Sequence, residues 1–512
     1  MNRIYRLGAL LFVLGLLAEP VHVERLRAES RSISPESELA TYAISDDQDK
    51  SSGYVNEGMA LPMPTLRYMK LSVERATHEA YGLAYPGTYE LSLPAGAANL
   101  RTFVSYRYPF NWKRVRERTS DEIFNGQDAV RFDYAGRRAY ISVSFDSFSD
   151  EIYIRITDSL GASVDISYLG MPKYYDNRHA AVVFSGDDWG RAEQDELAFE
   201  SACDIMSHAG IWFTAGIITK GFVAEGGIEP NWDQVQAKLN QGFLELASHS
   251  RSHSHIPYTD YDSEIAGSAE DIRELRNLPY SAGDEGYVLA WLSPFGISDS
   301  TCRRQLGQSR YLVNRSYSKY SKTFANWDPL NGIYDFSGYS IEMGDRMQQD
   351  CGWCGECTSD VARLNAMFDL ITTTGQIYHL VMHPRCVDWS PGSFSRQHID
   401  HIKGRPDIWY VGLGYLYLYH FLNERRIVTV AEGFEQLACG DCDASQNIDA
   451  DDVIYILSQL YFEDAPTMST ELEDVDCSGD LDIQDAIFLI NYLFLSGDAP
   501  CTCAAPDFVS GI

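Results

Sequence analysis

Past its first eighteen residues this chain of 512 has no apolar run approaching the ~20 residues needed to cross a bilayer core of ~30 Å. No membrane span is therefore expected. Basic charge is scarce: 41 Lys and Arg stand against 73 Asp and Glu, a formal net charge of -32. From Cys439 onward it is missing altogether, and sixteen Asp or Glu stand there without one Lys or Arg. A surface of that sign repels phosphate backbones and anionic lipid and attracts divalent cations, so nucleic acid is not an expected partner. The low hydrophobicity that marks disorder is also lacking. With 45% hydrophobic and 12% aromatic residues, the chain can fill the cores of about two to four domains.

What stands at the start is a short apolar segment. Arg3 and Arg6 precede the run Leu7 to Leu17, and Ala18-Glu19-Pro20 follows it. Eleven apolar residues with a basic flank suit a signal peptide over residues 1–18, with a short membrane anchor as the competing reading. An extracellular or cell-surface location is the expectation. Eleven cysteines in an exported chain point to disulfides, and their odd number leaves at least one thiol over. Residues 19–80 include the polar, aperiodic stretch Ser30 to Ser52 and read as a flexible leader.

Over residues 81–172 the pattern turns to short alternating runs, such as Ile152, Ile154, Ile156 and Val164, Ile166, Tyr168. Turn signals at Asn125-Gly126, Ala135-Gly136 and Leu160-Gly161 separate them, which predicts an antiparallel β-sandwich. From 173 to 432 apolar β runs alternate with amphipathic stretches. Strands are expected from Ala181 to Phe184, Ile211 to Ile218, Phe243 to Ala247, Tyr287 to Leu292, Ile377 to Met382 and Ile427 to Val430. Helices are expected near Gln194 to Ser207, Asp233 to Leu239, Ser263 to Leu275, Val361 to Thr372 and Leu413 to Glu424. That alternation predicts a parallel sheet with crossover helices, and about 250 residues suit a (β/α) barrel.

Residues able to do chemistry stand at the ends of these runs. Phe184-Ser185-Gly186-Asp187-Asp188-Trp189-Gly190 puts two adjacent carboxylates at the carboxyl end of an apolar strand, where α/β folds keep their sites. Two such groups suit one metal ligand and one proton acceptor, although a helix N-cap is an equally simple use. In His249-Ser250-Arg251-Ser252-His253 two imidazoles four residues apart would share one face of a helical turn and grip one cation. Two His and one carboxylate with open positions make a catalytic set; the alternative is a surface pair.

Together, S-G-D-D-W and H-S-R-S-H resemble the first two motifs of the polysaccharide deacetylases, the NodB-homology group or carbohydrate esterase family four. The resemblance covers residues 173–432 and implies a distorted (β/α) barrel with fewer than eight strands. It also implies a divalent transition metal, zinc foremost, on Asp188, His249 and His253, with Asp187 as the base. Leu292-Ser293-Pro294-Phe295-Gly296 resembles the third motif, in which a backbone N–H beside the aromatic residue, here Phe295, helps hold the oxyanion. Leu292 stands where the family has an arginine that pairs with the catalytic aspartate; Arg251 and Arg385 are the substitutes considered. The run Tyr378 to Pro384 resembles the fifth motif, a strand ending in the general-acid histidine, here His383, with His379 on the same face. Asn326-Trp327-Asp328 is a weak likeness of the fourth, which supplies an acid and an apolar wall, and Trp409 falls in the last barrel segment.

Two stretches lie outside that resemblance. Cys351, Cys354 and Cys357 form C-x-x-C-x-x-C, read as disulfides with Cys386 or Cys302 in preference to a zinc or iron-sulfur site. Asp441, Asp443, Ser445, Asn447, Asp449 and Asp452 take positions 1, 3, 5, 7, 9 and 12 of an EF-hand-type calcium loop. Asp474, Asp476, Ser478, Asp480, Asp482 and Asp485 repeat it 33 residues on (485 minus 452), and each copy leads into a helix. Gln446 replaces the usual glycine at position 6 of the first loop. Asp at position 12 and a single helix per loop resemble a dockerin domain over 439–503, which implies two calcium ions and a cohesin-type scaffold partner. A calcium-stapled stalk is the alternative.

The chain thus reads as multidomain: an N-terminal antiparallel β-sandwich, a central distorted (β/α) barrel of NodB type and a small C-terminal α domain with two calcium loops. The function expected is an exported metal-dependent hydrolase removing N-acetyl groups from an amino-sugar polysaccharide. A catalytically inactive, scaffold-assembled glycan binder and an O-acetyl esterase on the same site are the alternatives.

Overall fold

The computed structural model describes residues 65–501 apart from 75–85, 109–111, 146–148, 160–161, 223–226, 280, 283–284, 317–321, 337–341, 346–357, 437, 444, 446 and 462–469. The expected signal peptide, residues 19–64 of the expected leader, the Cys351, Cys354 and Cys357 motif and Gln446 lie outside the described residues.

The first strands are β1 (Thr65–Ser72), β2 (Pro86–Ser92), β3 (Arg101–Ser105), β4 (Lys113–Glu117), β5 (Ala129–Asp133), β6 (Arg138–Ser144), β7 (Glu151–Thr157) and β8 (Ser167–Gly170). Next come β9 (Ala180–Trp189), β10 (Phe213–Ile217), β11 (Leu244–Ser248), β12 (Ala290–Leu292) and β13 (Val313–Arg315). The last are β14 (Asn326–Asp328), β15 (Ile333–Asp335), β16 (Glu342–Met343), β17 (Ile377–Met382), β18 (Ile408–Tyr410) and β19 (Thr429–Gln436). The helices that matter here are α1 (Glu193–Ala209), α2 (Trp232–Gln241), α3 (Tyr261–Arg273), α4 (Ser300–Gln308), α5 (Val361–Thr373), α6 (Phe394–Ile402) and α7 (Leu413–Glu424). Two more, α8 (Ala450–Tyr461) and α9 (Ile483–Leu495), follow the acidic loops. The helical stretches expected from periodicity fall on α1, α2, α3, α5 and α7; α4 and α6 were not foreseen.

One nine-stranded sheet runs β19-β1-β7-β3-β4-β5-β6-β2-β8. Ile152, Ile154 and Ile156 share a core with Leu91 of β2 and with Ile141 and Val143 of β6. Three features differ from the antiparallel module expected over 81–172. β1 lies within the expected leader, and β4 runs parallel to β5 where Arg116 meets Ala129 and Glu117 meets Val130. β19, expected as the last barrel strand, pairs instead with β1 from Thr65↔Gln436 to Ser72↔Thr429. Glu432 explains the move: parallel strands are buried on both faces, whereas an antiparallel edge tolerates Glu432 in water. The second face of β7 is covered too. Tyr153 and Phe103 pack with Cys439 and Leu472 of the C-terminal residues. Arg155 is only 3% exposed; burial pulls it down to about 10, against the opposing pull of Tyr455 and Glu473.

The other large sheet runs β14-β15-β13-β12-β11-β10-β9-β17-β16, with β18 also on β9. Every pair in it is parallel except β14 with β15. The count of parallel strands exceeds the fewer than eight implied by the resemblance, because β16 and β18 each pair with one end of a longer strand. β18 takes Ala180 to Val182 of β9 whereas β10 takes Phe184 onward, so the sheet forks there. Helices α1 to α6 contribute Phe199, Leu239, Ile272, Leu306, Phe368 and Ile399 to a core shared with Phe184, Phe213 and Leu246. Asn231, Asp260, Asp299, Asp360 and Ser393 cap α2 to α6, each accepting a backbone N–H from the first turn.

α7 is apolar nearly all round, as a helix buried on every side must be. Its residues share a core with Val183, Ala247 and Val313 of the parallel sheet and with the N-terminal sheet. The free N–H groups at its start are met from inside the barrel. Thr214 Oγ1 accepts from Leu413 N at 2.8 Å and the Glu245 carboxylate accepts from Gly414 N at 2.8 Å. In the C-terminal module, Cys442, Val453, Ile456, Val475, Leu489 and Ile490 form a small core, and Cys477 is bonded to Cys501. Cys386 is disulfide-bonded, but Cys302 is a buried free thiol packed with Leu306, which removes it as a partner for the cysteine motif. Among the described residues no helix is long and apolar enough to cross a membrane.

Replacing Glu245 by Ala leaves buried donors without an acceptor and should lower stability by about 1–3 kcal/mol, read as a shift in the denaturant midpoint. Glu245→Gln, which keeps one acceptor, should recover part of that loss.

Candidate metal centre

The carboxylates close β9 through a bulge. Gly186 pairs with Ala215 and Trp189 with Ile217, so Asp187 and Asp188 together oppose the single residue Gly216. A bulge breaks the alternation of a strand and lets two consecutive side chains serve one place. Asp188 takes φ 79 and Gly190 φ 99, and a Cβ on Gly190 would stand 2.7 Å from the Ile218 carbonyl oxygen. That position requires glycine.

His249 follows β11, its N–H donating to the Ile217 carbonyl at 2.9 Å. The two imidazoles do not meet on a helical turn, contrary to the expectation from their spacing. Ser250 and His253 have φ 67 and φ 54, and the segment is a bent loop. Ser250 Oγ accepts from His253 N at 2.8 Å, and Glu264 of α3 accepts from the N–H groups of Arg251 and Ser252 at 3.0 and 2.9 Å. These bonds hold backbone angles that cost about 1–3 kcal/mol each in non-glycine residues and that gather at functional sites.

Asp188 Oδ1 lies 3.3 Å from Nε2 of His249 and 3.3 Å from Nε2 of His253. Ligand atoms of all three lie within 4.8 Å of one another, and all three residues are buried. That oxygen has no hydrogen bond. A buried acceptor left unsatisfied between two converging imidazoles fits a cation. His249 Nδ1 donates to the Leu292 carbonyl at 2.6 Å, which leaves the Nε2 lone pair facing Asp188. Two nitrogens and one oxygen, with further positions open, form the donor set of a catalytic zinc or a similar ion. Burial pushes Asp188 up, but the close approach of His249 and the charges of His383 and His253 prevail and hold it well below the carboxylate range. Burial, then His249, depresses His253 to about 3, the neutral form a ligand needs. His249 is lowered by burial and raised more by Asp187 and Asp188, so its pKa lies above the ordinary imidazole value.

Asp187 has another partner. Both its oxygens accept from one Arg315 amino group, at 2.7 and 2.5 Å. Burial raises its pKa, and Arg315, with His249 and His383, more than reverses that. Neither arginine considered from the sequence does this. Arg251 is bound to Asp271 at 2.9 and 2.8 Å, and Arg385 lies 3.6 Å from Asp195. Arg315 stands on β13 directly beside Leu292 of β12 in the parallel register, so the cation comes from the neighbouring strand. Its other amino group donates to Ser185 Oγ at 3.1 Å, which lies 2.9 Å from His379 Nε2. Burial and then Arg315 push His379 down to about 3, so it supports this network as a neutral ring. Arg315 was missed because β13 is three residues long and no motif surrounds it.

His383 completes the pocket, with Nε2 3.8 Å from Asp188 Oδ2 and Nδ1 3.8 Å from Glu342 Oε2. Glu342 is raised by burial and sits on β16, paired with the end of β17 that leads to His383. It holds the place expected for Asp328. That expectation is corrected: Asp328 accepts from Leu330 N at 2.9 Å and Asn331 Nδ2 at 2.6 Å in its own turn, and Trp327 packs on Tyr334. Phe295 has φ 56, with its ring stacked on His255 at 3.7 Å and 4.5 Å from that of His253. Arg191 adds a bond to Asp188 Oδ2 at 3.0 Å.

The acidic loops also converge, in two sets: Asp441, Asp443 and Asp452, and Asp474, Asp476 and Asp485. Their hydrogen bonds repeat. Ser445 N donates to Asp441 and Asp443 at 2.8 and 2.9 Å, and Ser478 N to Asp474 and Asp476 at 2.9 and 3.0 Å. Asp449 and Asp482 do something else: they accept from Asp451 N at 2.8 Å and Gln484 N at 2.6 Å, capping the first turns of α8 and α9. Ser445 and Ser478 donate to the carbonyls of Asn447 and Asp480, both at 3.2 Å. Burial and the neighbouring Asp443 and Asp441 push Asp452 up to about 8, against the backbone N–H bonds it accepts.

No family model matches the sequence, and no curated protein does. Solved structures share a likeness with about half of it. A candidate polysaccharide deacetylase from Mycobacterium smegmatis is 13% identical at a TM-score of 0.39, over 49% of this chain and 93% of that one. A family 4 carbohydrate esterase from Streptomyces lividans, in complex with acetate, is 15% identical at a TM-score of 0.26, over 45% and 89%. A 4-alpha-glucanotransferase from Thermococcus litoralis is 11% identical at a TM-score of 0.31, over 47% and 39%. The chemistry is read from the residues themselves.

With calcium in excess, the full chain should bind one equivalent of zinc in competition with a chromophoric chelator. His249→Ala or His253→Ala should weaken that binding at least about a hundredfold, whereas Asp187→Asn should leave it intact.

Proposed function

We propose that the parallel-sheet domain is a metal-dependent hydrolase that removes N-acetyl groups from an amino-sugar polysaccharide. One observation carries the reading. An unsatisfied carboxylate oxygen between two imidazoles lies beside a second carboxylate held ionised by Arg315. A divalent ion on Asp188, His249 and His253 would supply Lewis acidity toward an amide carbonyl and acidify water. Asp187, kept ionised and oriented by Arg315, is the base that takes the proton of the attacking water. Charge developing on the carbonyl oxygen is met by a backbone N–H at Phe295, a kind of donor whose removal elsewhere costs ~2.7–4 kcal/mol. His383, between Asp188 and Glu342, hands a proton to the nitrogen, because an amine leaves badly without one. The products are acetate and a free amino sugar.

Export through residues 1–18 and assembly through the C-terminal module belong to the same proposal. The two acidic sets take one calcium each, and the module docks a cohesin-type scaffold outside the cell, where millimolar calcium keeps such loops filled.

Acetate release from N-acetylated chitin, peptidoglycan and O-acetylated plant glycans tests the reaction class. Release from esters alone would replace the amide with an ester substrate, and bound zinc with no release from any of them would end the enzyme reading. Arg315→Leu should lower kcat about a hundredfold with zinc still bound. Adding Leu292→Arg should restore most of it, since the two positions are register partners. Removing calcium should lower the melting temperature of the C-terminal module in calorimetry, reversibly, and Asp452→Asn with Asp485→Asn should make that transition insensitive to calcium.

A further inference from the structure

The fork in the parallel sheet opens a cleft of about 540 Å³ between the barrel and the loop around Asp121 to Gly126 of the N-terminal sheet. That volume is in the range of small-ligand sites. It lies at the end of the strands opposite the metal centre. β18 pairs with Ala180 to Val182, and Asp187 follows five or more residues on, roughly 20 Å at ~3.3 Å per residue.

Trp212 and Phe243, which precede β10 and β11, line one wall with their rings 5.9 Å apart. Both are partly exposed, and Phe243 keeps a left-handed φ of 60. Trp409 and Tyr415, centroids 5.4 Å apart, lie deeper. The opposite rim carries Asp121, Asn125 and Ile123, the last 41% exposed.

Charge narrows the occupant. The lining holds two charged side chains, Asp121 and Arg178. Arg178 spends all five N–H donors inside the protein: on Asp176 twice and on the carbonyls of Ser120, Glu122 and Pro406. No cation remains to meet an acidic ligand, and the Asp121 carboxylate repels one. Aromatic faces offer an apolar surface, while a carboxylate and an amide on the facing rim accept and donate hydrogen bonds. A sugar ring has that combination, with C–H groups on its face and hydroxyls at its edge.

We propose that this cleft binds a neutral or amine-bearing glycan chain, as a second site independent of the metal centre. The choice of an amino-sugar polymer as probe rests on the deacetylase reading; the cleft does not. A polymer held there keeps neighbouring acetylated units near the metal centre between turnovers.

The test is calorimetric titration of the full-length His249→Ala protein, whose metal centre is disabled, with the N-acetylglucosamine hexamer, cellohexaose and a hexuronate oligomer. Saturable binding of at least one neutral hexamer and none of the hexuronate is expected. Adding Trp212→Ala should weaken it about tenfold or more. Adding Ile123→Arg, a change at an exposed position that places a long cation across the cleft, should do the same without moving the melting temperature, which keeps the test decisive if the Trp212 variant folds poorly. Unchanged affinity in the Ile123 variant, no binding of either neutral hexamer, or equal binding of the hexuronate overturns the proposal. Binding that depends on Ile123 and Trp212 with no acetate released by the unmutated protein would sink the deacetylase reading and leave the cleft standing.

Discussion

Two carboxylates buried side by side at the end of β9 must be neutralised, because an uncompensated ion inside a protein costs several kcal/mol. Asp188 is answered by imidazoles from the loop after β11 and from the end of β17, with Arg191 at its outer oxygen. Asp187 is answered by Arg315 alone at bonding distance, from a strand four places away in the sheet order. The bulge in β9 divides the work by giving adjacent side chains different partners. Asp195, near Arg385 and pushed up to about 7 mainly by burial, and Glu342, beside His383 and also raised by burial, are further buried acids near the pocket. What the pocket leaves open is the donor set of Asp188, His249 and His253, which a cation would fit.

The same demand explains the precision of the scaffold. Asp188, His253 and Phe295 all take left-handed backbone angles without being glycine, and surrounding bonds must hold them there. Leu292 contributes in two ways unrelated to charge. Its carbonyl fixes the His249 tautomer, and its side chain fills the barrel beside Gly216, where a Cβ would come within 2.8 Å of it. An arginine placed at 292 must therefore share space with that glycine. From β13, Arg315 reaches the same carboxylate while an apolar side chain packs the interior.

α7 unites the large sheets. Its apolar circumference lies in a core shared by the N-terminal sheet and the parallel sheet, and Glu245 seats its first turn. The chain leaving α7 then adds β19 to the N-terminal sheet, which ties the modules a second time. The C-terminal residues cover the outer face of β7, so three sequence modules pack together through the N-terminal one.

Local pattern alone determined much of this. The limits of β17 and α7, the repeated acidic loops and the residues Asp188, His249 and His253 are all readable in sequence, because each depends on neighbours within a few positions. Tertiary structure decided the rest. The helical turn inferred for the imidazoles became a strained loop, since spacing limits which residues can converge but not the backbone path between them. Arg315 and Glu342 sit on strands of three and two residues, too short to show a period, and their reach to Asp187 and His383 exists only through strand register. β19 carried an apolar start that suited either sheet, and its Glu432 found water at an antiparallel edge. Register and edge position join residues as far apart in the chain as Asp187 and Arg315 or Ser72 and Thr429, and no short-range signal in a single sequence encodes that distance.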